Sequence, residues 1–480
     1  MGAERMKQYD VVIIGGGVTG AAIAHELSRY KLSIALLEKE EELAFGVSKS
    51  NSGIIHPGTQ NSPDSLKGKL CVQGNMLMRK IAKDLDTDFK EVGSLIVALT
   101  EEDVSRLFEI KKEAEALGVP CLRIVDNAWL KKNEPNLNKN AVSALYAPTT
   151  GIISPYRLVY DLCENAKRNG VDFYMRAKVE KIEVSSENNF TIFTRSRKFA
   201  TKYVINAAGL FADEISKMVG VNDFTITPRK GEEFLLDKKK EHLTNHVLFP
   251  LPTGLSKGIL VIKTSDGNPM IGPTAHDTDD KEDLSTSDKG LNEVFSSAKR
   301  LIPTLTQSDI IAYFAGLRPA CGHDFIIRHE EKVPGFINVL GIQSPGLTAA
   351  PAIAVMVCGI LKEKGLALKK KLIFHRHQRE ESHLFSIPLS ETKKLIKKDP
   401  SYGDIVCRCE MVSRREIEEA IERGATTLDG IKFRTRAGAG RCHGGFCTAK
   451  IMKILALKKK IALTSVTKRG KGSEIVKGNR

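Results

Sequence analysis

Apolar positions along this chain fall into short continuous runs and helical stripes, and the first forty residues set the pattern. Tyr9 to Ile14 is a largely apolar, β-branched run. Three glycines follow, then Val18 to Tyr30, whose apolar positions recur at helical spacing. A second apolar run, Leu32 to Leu37, ends in Glu38. The spacing predicts strand, tight turn, helix, strand. Farther on, Glu91–Leu99 reads as strand and Glu101–Leu117 as helix. Tyr156–Asn169 reads as a helix closed by Gly170, and Phe173–Val184 and Asn189–Thr194 as strands around a turn. Tyr203–Gly209 is a buried strand running into a turn. Strand-like runs with Pro/Gly turns fill Phe224–Pro319 and suggest an antiparallel-rich region. A buried strand, Gly335–Ile342, and a helix, Thr348–Leu361, come next. Lys362–Pro400 is Lys-rich and weakly patterned, which suits a linker, and Tyr402–Leu457 reads as a small further domain.

The first turn carries chemistry. Gly15-x-Gly17-x-x-Gly20 lies between a predicted strand and a predicted helix, where the motif has meaning. Gly15 permits the turn, Gly17 lets backbone approach a pyrophosphate, and Gly20 lets helix and strand pack closely. The helix start offers N–H groups and a positive dipole end to phosphates. Glu38 closes the second strand, where an acid can hold ribose hydroxyls. Dinucleotide binding follows, but the motif does not choose between FAD and NAD. No second fingerprint is present, so electrons are expected to enter from a small reduced substrate and not from a nicotinamide.

At 480 residues the chain exceeds one ordinary core, and 41% hydrophobic with 27% charged residues is a globular balance. No secretory signal is read at the N-terminus. The longest nearly apolar stretch, Ala349–Leu361, is shorter than the roughly 18 residues of a spanning helix. A cytoplasmic location is expected, with a complex peripheral to the membrane as the alternative. The net charge of +15 is concentrated after Cys447, where the basic stretch reads as a solvated tail. No nucleic-acid motif or aromatic platform accompanies it, so no nucleic-acid partner is expected. Of nine cysteines, Cys71, Cys121, Cys163, Cys321 and Cys358 are scattered and read as structural thiols. Cys407-x-Cys409 and Cys442-x4-Cys447 form a cluster, which in a reducing compartment points to metal or redox chemistry. Thiolates suit both zinc and iron–sulfur groups, and the spacing matches neither the common zinc pairs nor the usual ferredoxin runs.

Three later segments extend the first motif: Ser48–Gly58, Val204–Asp213 and Gly341–Ala350. Together they resemble the D-amino-acid oxidase-like FAD superfamily, and within it the FAD-dependent glycerol-3-phosphate dehydrogenases and L-2-hydroxyglutarate oxidases. The resemblance covers Tyr9 to about Leu361. It implies an α/β fold: a Rossmann-type FAD-binding domain (8–83, 149–218, 326–366) with an inserted mixed or antiparallel α+β substrate domain (84–148, 219–325). A linker (367–401), a small helical domain (402–457) and a basic tail (458–480) complete the expected organisation. The resemblance implies FAD held by Gly15, Gly17, Gly20, Glu38 and Val179, with Ala208 and Gly209 beside the turn. It also implies Ser48, Ser52 and His56 near the flavin, faced by Gly346, Leu347 and Thr348. A helix start at that point would stabilise the negative charge of reduced flavin.

Ile405–Cys409 and Arg436–Cys447 are similar to the bacterioferritin-associated-ferredoxin type of [2Fe–2S] domain, which implies Cys407, Cys409, Cys442 and Cys447 as ligands. The anaerobic type of glycerol-3-phosphate dehydrogenase large subunit joins the same two domains. Such a pairing implies a dehydrogenase whose electrons leave one at a time, since a simple oxidase would need only FAD and oxygen, and implies an electron-accepting partner subunit. Ala315–Pro319 resembles the superfamily segment whose arginine, here Arg318, binds the substrate's anionic group. His56 is the candidate base; His323 and Lys257 are weaker candidates. One departure is that His56-Pro-Gly58 leads into Thr59–Lys67, a run more similar to the L-2-hydroxyglutarate oxidases. Glycerol 3-phosphate oxidation is therefore the leading expectation, an L-2-hydroxy-acid dehydrogenase the second, and a non-catalytic electron-transfer subunit the third.

Overall fold

The computed structural model describes residues 6–252, 257–376 and 383–478. They form two compact units. Residues 6–37, 44–174 and 179–376 make the larger one, and 38–43, 175–178 and 383–478 the smaller.

In the larger unit, Lys7–Ile14 lies at the centre of an eight-stranded sheet. It pairs in parallel with Ile34–Leu37 on one side and Lys198–Asn206 on the other. Every residue of Ile34–Leu37 is buried, as a continuous apolar run predicts for a strand covered on both faces. Lys198–Asn206 is divided: its first half pairs antiparallel with Phe190–Thr194, its end in parallel with Phe336–Leu340. The helix Val18–Leu27 packs against Pro155–Arg168 and against Gly346–Glu363, which also packs on Leu66–Leu85. The last contact is close because Gly74 has no side chain. A Cβ there would stand 2.0 Å from the Thr348 carbonyl oxygen.

Gly346–Glu363 is longer than the apolar stretch read from the sequence. By length and composition it could cross a membrane, yet 67% of it is buried inside the protein, as befits a core helix. A second difference concerns Phe173–Val184. It is not one strand but two, Val171–Tyr174 and Val179–Val184, at opposite ends of the sheet. The chain turns between them through Arg176 at φ 55°. No Gly or Pro marks that turn, so propensity alone runs through it.

A nine-stranded, mostly antiparallel sheet takes strands from two distant stretches. Ser94–Ala98, Arg123–Asp126 and Ser143–Ala147 come from the first; the others lie between Thr227 and Ala320. The two sets join where Val247–Pro250 pairs in parallel with Ser94–Ala98. Its longest ladder, Thr227–Leu236 against Ile310–Ala320, sets Arg229 opposite Arg318, Gly231 opposite Gly316 and Glu233 opposite Phe314.

The smaller unit is a short hairpin, Ile405–Cys407 with Val412–Ser413, and the helices Arg414–Glu422, Leu428–Thr435 and Thr448–Lys459. Val412, Ile417, Ala420, Ile431 and Leu455 form its buried centre. The predicted capping box is present: Ser413 accepts from Glu416 N, and the Glu416 carboxylate accepts from Ser413 N. Two expectations are corrected. The predicted linker contains a helix, Leu389–Lys398, whose buried Thr392 donates to Leu384 O at 3.1 Å; residues 377–382 of that linker lie outside the described residues. The basic tail is not simply solvated. Val466 is fully buried, and Leu428 N and Asp429 N donate to Thr467 O and Lys468 O. One apolar anchor within a Lys-rich stretch gives no periodic signal, which is why the sequence reads as tail.

Candidate functional site

The glycine turn is built as its spacing predicts. Gly15 has φ +114°, and a Cβ on it would lie 2.3 Å from Ala207 O, so no other residue fits against Ala207 and Ala208. A Cβ on Gly20 would lie 2.0 Å from Gly15 O. At Gly17 the surroundings are open: only Ser48 Oγ, at 3.3 Å, comes within 4 Å of a Cβ. The helix Val18–Leu27 has no acid in its first turn and no side-chain cap from Gly17, while Ser48 Oγ accepts from Val18 N at 2.9 Å. The arrangement brings Gly15, Gly17, Gly20, Ser48, Ala208 and Gly209 around one helix start whose own N-cap residue offers no side-chain acceptor. This is the donor-rich, open cradle that a dinucleotide pyrophosphate requires. Glu38 directly follows Ile34–Leu37; it is buried, and its Oε1 accepts from Glu40 N at 2.9 Å. Val179 opens its own strand and is buried.

The expected flavin-facing segments meet. His56 N donates to Thr348 Oγ1 at 2.9 Å, and Thr348 Oγ1 donates to Ile54 O at 3.3 Å. Gly346, Leu347 and Thr348 open the helix Gly346–Glu363, whose N-cap Pro345 offers no side-chain acceptor. Ser52 lies half-buried in the facing segment. A flavin held beside Gly346–Thr348 would meet a helix start without a side-chain cap, an environment that favours a reduced, anionic ring.

His56 is buried, with its ring centroid 6.0 Å from that of Phe249. Asn75 Nδ2 donates to His56 O at 3.0 Å, so the backbone is held from both sides. Burial, reinforced by the Lys257 charge, holds the imidazole pKa well below its usual value, leaving the ring neutral and able to accept a proton. Burial also holds the Lys257 ammonium at about 8 and the Arg318 guanidinium at about 10. Lys257 is close enough to raise the local positive potential at both His56 and Arg318. Arg318 is anchored by backbone carbonyls. Nε donates to Arg229 O and Nη2 to Lys230 O, both at 3.3 Å, and Nη2 also to Thr274 O. One edge of the fork is thus committed, and Nη1 takes no part in these bonds. A Cβ on Gly316 would lie 2.6 Å from Ser50 Oγ, so the sheet face carrying Arg318 packs directly on the Val47–Ser50 segment.

Other candidates resolve differently. His323 is exposed, and its carbonyl accepts from Lys67 Nζ at 2.6 Å. The Thr59–Lys67 run has a structural account. Ser65 caps the helix Leu66–Leu85, and Leu66 N and Lys67 N donate to the Asp324 carboxylate at 2.6 and 2.8 Å. Sequence reasoning missed Asn75 and Glu233. For Asn75 there was no local signal; for Glu233 there was one, since two successive acids in an alternating strand require one to face inward.

In the smaller unit the four clustered cysteines come together as two pairs. Cys409 Sγ lies 3.5 Å from Cys442 Sγ, and the Cys407 thiol is hydrogen-bonded to Cys447. That bond, with backbone donors at Gly438 and Glu410, holds Cys407 at about 6. The arms close because Gly440 has no side chain: a Cβ would stand 2.4 Å from Cys409 Cβ. Arg436 Nε donates to the buried Glu410 carboxylate at 2.8 Å and ties the same arms. Among the described residues no three His, Cys, Asp or Glu side chains close around a single ion. Four thiols in two separate pairs fit a cluster of two irons, two ligands to each, better than one tetrahedral ion.

Comparison with known proteins agrees with this geometry. Residues 10–359 match the model of the FAD dependent oxidoreductase family, and residues 405–456 that of the BFD-like [2Fe-2S] binding domain. A glycerol 3-phosphate dehydrogenase of Caloramator mitchellensis is 42% identical over 473 residues, covering 98% of each chain. A glycerol 3-phosphate oxidase of Mycoplasma genitalium is 35% identical, covering 76% of this chain and 97% of its own. Among solved structures, the dithionite-reduced L-alpha-glycerophosphate oxidase of Mycoplasma pneumoniae with FAD bound superposes with a TM-score of 0.74. It shares 32% identity and covers 78% of this chain and 99% of its own.

Proposed function

The chain belongs to the FAD dependent oxidoreductase family, and from that premise we propose that it oxidises sn-glycerol 3-phosphate to dihydroxyacetone phosphate. The observation that carries this reading is the convergence of a neutral His56 with two cations, Lys257 and Arg318, on the side of the sheet that meets Val47–Ser50. When bound, FAD supplies a two-electron acceptor, and the [2Fe–2S] group supplies a one-electron exit. The protein's own residues do the rest. Arg318 and Lys257 hold the phosphate and fix the reacting carbon. His56 takes the hydroxyl proton at an imidazole nitrogen that burial has kept free of protons. Phe249 and the apolar residues around it keep water from that nitrogen.

The L-2-hydroxy-acid reading loses its main support, because Ser65-Leu66-Lys67 is accounted for as a helix start docked on Asp324. A relative named as a glycerol 3-phosphate dehydrogenase that is similar through both domains supports the phosphate substrate. None of the nine cysteines is disulfide-bonded, which suits a reducing setting.

Arg318→Ala is expected to raise KM for glycerol 3-phosphate about 100-fold with a smaller change in kcat, as loss of a charged contact predicts. Arg318→Lys should recover part of this, since a point charge cannot reproduce the guanidinium edge. Steady-state kinetics with an artificial electron acceptor checks both. An unchanged KM in the Ala variant would move the phosphate site elsewhere.

A further inference from the structure

Two acids stand side by side on the strand Thr227–Leu236, and they face opposite ways. Glu232 accepts from Ser287 N and Ser287 Oγ at the start of the helix Asp288–Leu301, and Phe234 packs with Val294 and Ala298 of that helix. Alternation therefore turns Gly231, Glu233 and Leu235 to the other face. That face holds Arg318: a Cβ on Gly231 would lie 2.9 Å from Arg318 Nη2. It is also the face on which Gly316, the ladder partner of Gly231, meets Ser50. Glu233 thus stands one alternation from the guanidinium, on the side that carries the site. Glu233 is only 3% exposed, and its Oε2 has no hydrogen-bond partner among the described residues. A buried, unpartnered carboxyl oxygen costs free energy, and a site that keeps one is expected to use it.

We propose that Glu233 is a further substrate-binding residue, a neutral carboxyl that donates its O–H to the anionic group held by Arg318. This rests on the glycerol 3-phosphate reading and deepens it. A carboxylate would repel the phosphate; a carboxylic acid supports it, and only an acid held protonated near neutral pH can do so. Burial provides that condition, pushing the Glu233 carboxyl up to about 8, against the opposing pull of Arg318. The other charged groups around this face are Arg229 on the same strand, Asp277 paired with it, Arg318 on the neighbouring strand, and Lys257 and His56. Asp277 and Arg229 are bound to each other, so the groups titrating near pH 8 are Glu233 and Lys257. The sign is the same for both. As pH rises through 8, Glu233 gains negative charge and Lys257 loses positive charge, and anion affinity falls.

The test uses the holoenzyme and propyl phosphate, which lacks the oxidisable hydroxyl. Its Kd is measured calorimetrically from pH 6.5 to 9.5. Wild-type affinity should weaken through about pH 8. Glu233→Gln keeps a neutral N–H donor, so it should bind within about threefold of wild type at pH 7 and lose affinity over a smaller range above pH 8. The decline that persists up to pH 9, below the range of Arg318 near 10, belongs to Lys257 and should vanish in Lys257→Met/Glu233→Gln. Glu233→Leu should weaken binding about tenfold at pH 7. Should the Leu variant fail to fold, the Gln variant still decides. An alkaline decline in Glu233→Gln identical to wild type overturns the proposal, as does wild-type affinity at pH 7 in a folded Glu233→Leu. Glutarate is titrated in parallel. If wild type binds glutarate and not propyl phosphate, the phosphate reading fails, and the same variants on glutarate decide the role of Glu233.

Discussion

His56→Asn is expected to lower kcat for glycerol 3-phosphate about 1,000-fold while changing KM little, the range for loss of a general base. The structural reason for a small KM effect is that the His56 backbone, not its ring, carries the contacts that order the segment. His56 N donates to Thr348 Oγ1 and His56 O accepts from Asn75 Nδ2. Both survive the substitution, and the cations that hold the phosphate remain. The pH dependence has a definite sign. A base must be deprotonated, and burial with the Lys257 charge keeps the His56 pKa well below its usual value. The wild-type rate should therefore show no acid limb near pH 6.5, the usual histidine range. Lys257→Met removes the repulsive charge, so the acid limb should move to higher pH. A pH–kcat profile checks this; a His56→Asn variant with a near-normal rate would place the base on another residue.

Cys442→Ala is expected to lose the cluster's iron and its reduced-state paramagnetic signal while the flavin is still bleached by substrate. The thiol pairs with Cys409, and the arms that carry them are set by Gly440 and the Arg436–Glu410 ion pair, so three remaining thiols cannot hold two irons. The residues proposed to hold FAD, Glu38 apart, lie in the larger compact unit, and the four clustered cysteines lie in the smaller one. Turnover with a one-electron protein acceptor should collapse, whereas a small dye that reaches the flavin directly should still be reduced. Metal analysis, electron paramagnetic resonance and the two acceptor assays are the measurements. Zinc without iron in anaerobically purified wild type, or full protein-acceptor turnover in the variant, would remove the cluster from the electron path.

Local patterns were legible where a rigid geometric demand singles out a residue type. The turn at Gly15 admits no Cβ, the capping box at Ser413 and Glu416 satisfies two backbone groups, and a buried strand such as Ile34–Leu37 must be apolar throughout. Patterns failed where the demand came from distant chain. The break at Arg176 uses a left-handed residue that is not glycine. The basic tail is fixed by one buried side chain, Val466. The site behaved likewise. His56 and Arg318 are candidates because their segments resemble those of the superfamily. That carbonyls of Thr227–Leu236 occupy one edge of the Arg318 fork, and that the face turned by Glu233 is also the Arg318 face, depend on the register of Thr227–Leu236 with Ile310–Ala320. No single segment contains that register.

If the proposed function holds, this chain takes electrons from glycerol 3-phosphate through a flavin. The direct measurement is anaerobic titration of the purified holoenzyme, followed by flavin absorbance, with no acceptor present. One equivalent of sn-glycerol 3-phosphate should bleach the flavin within seconds and leave dihydroxyacetone phosphate, while an L-2-hydroxy acid at the same concentration leaves the spectrum unchanged. Bleaching by the hydroxy acid alone, or by neither compound, would contradict the account.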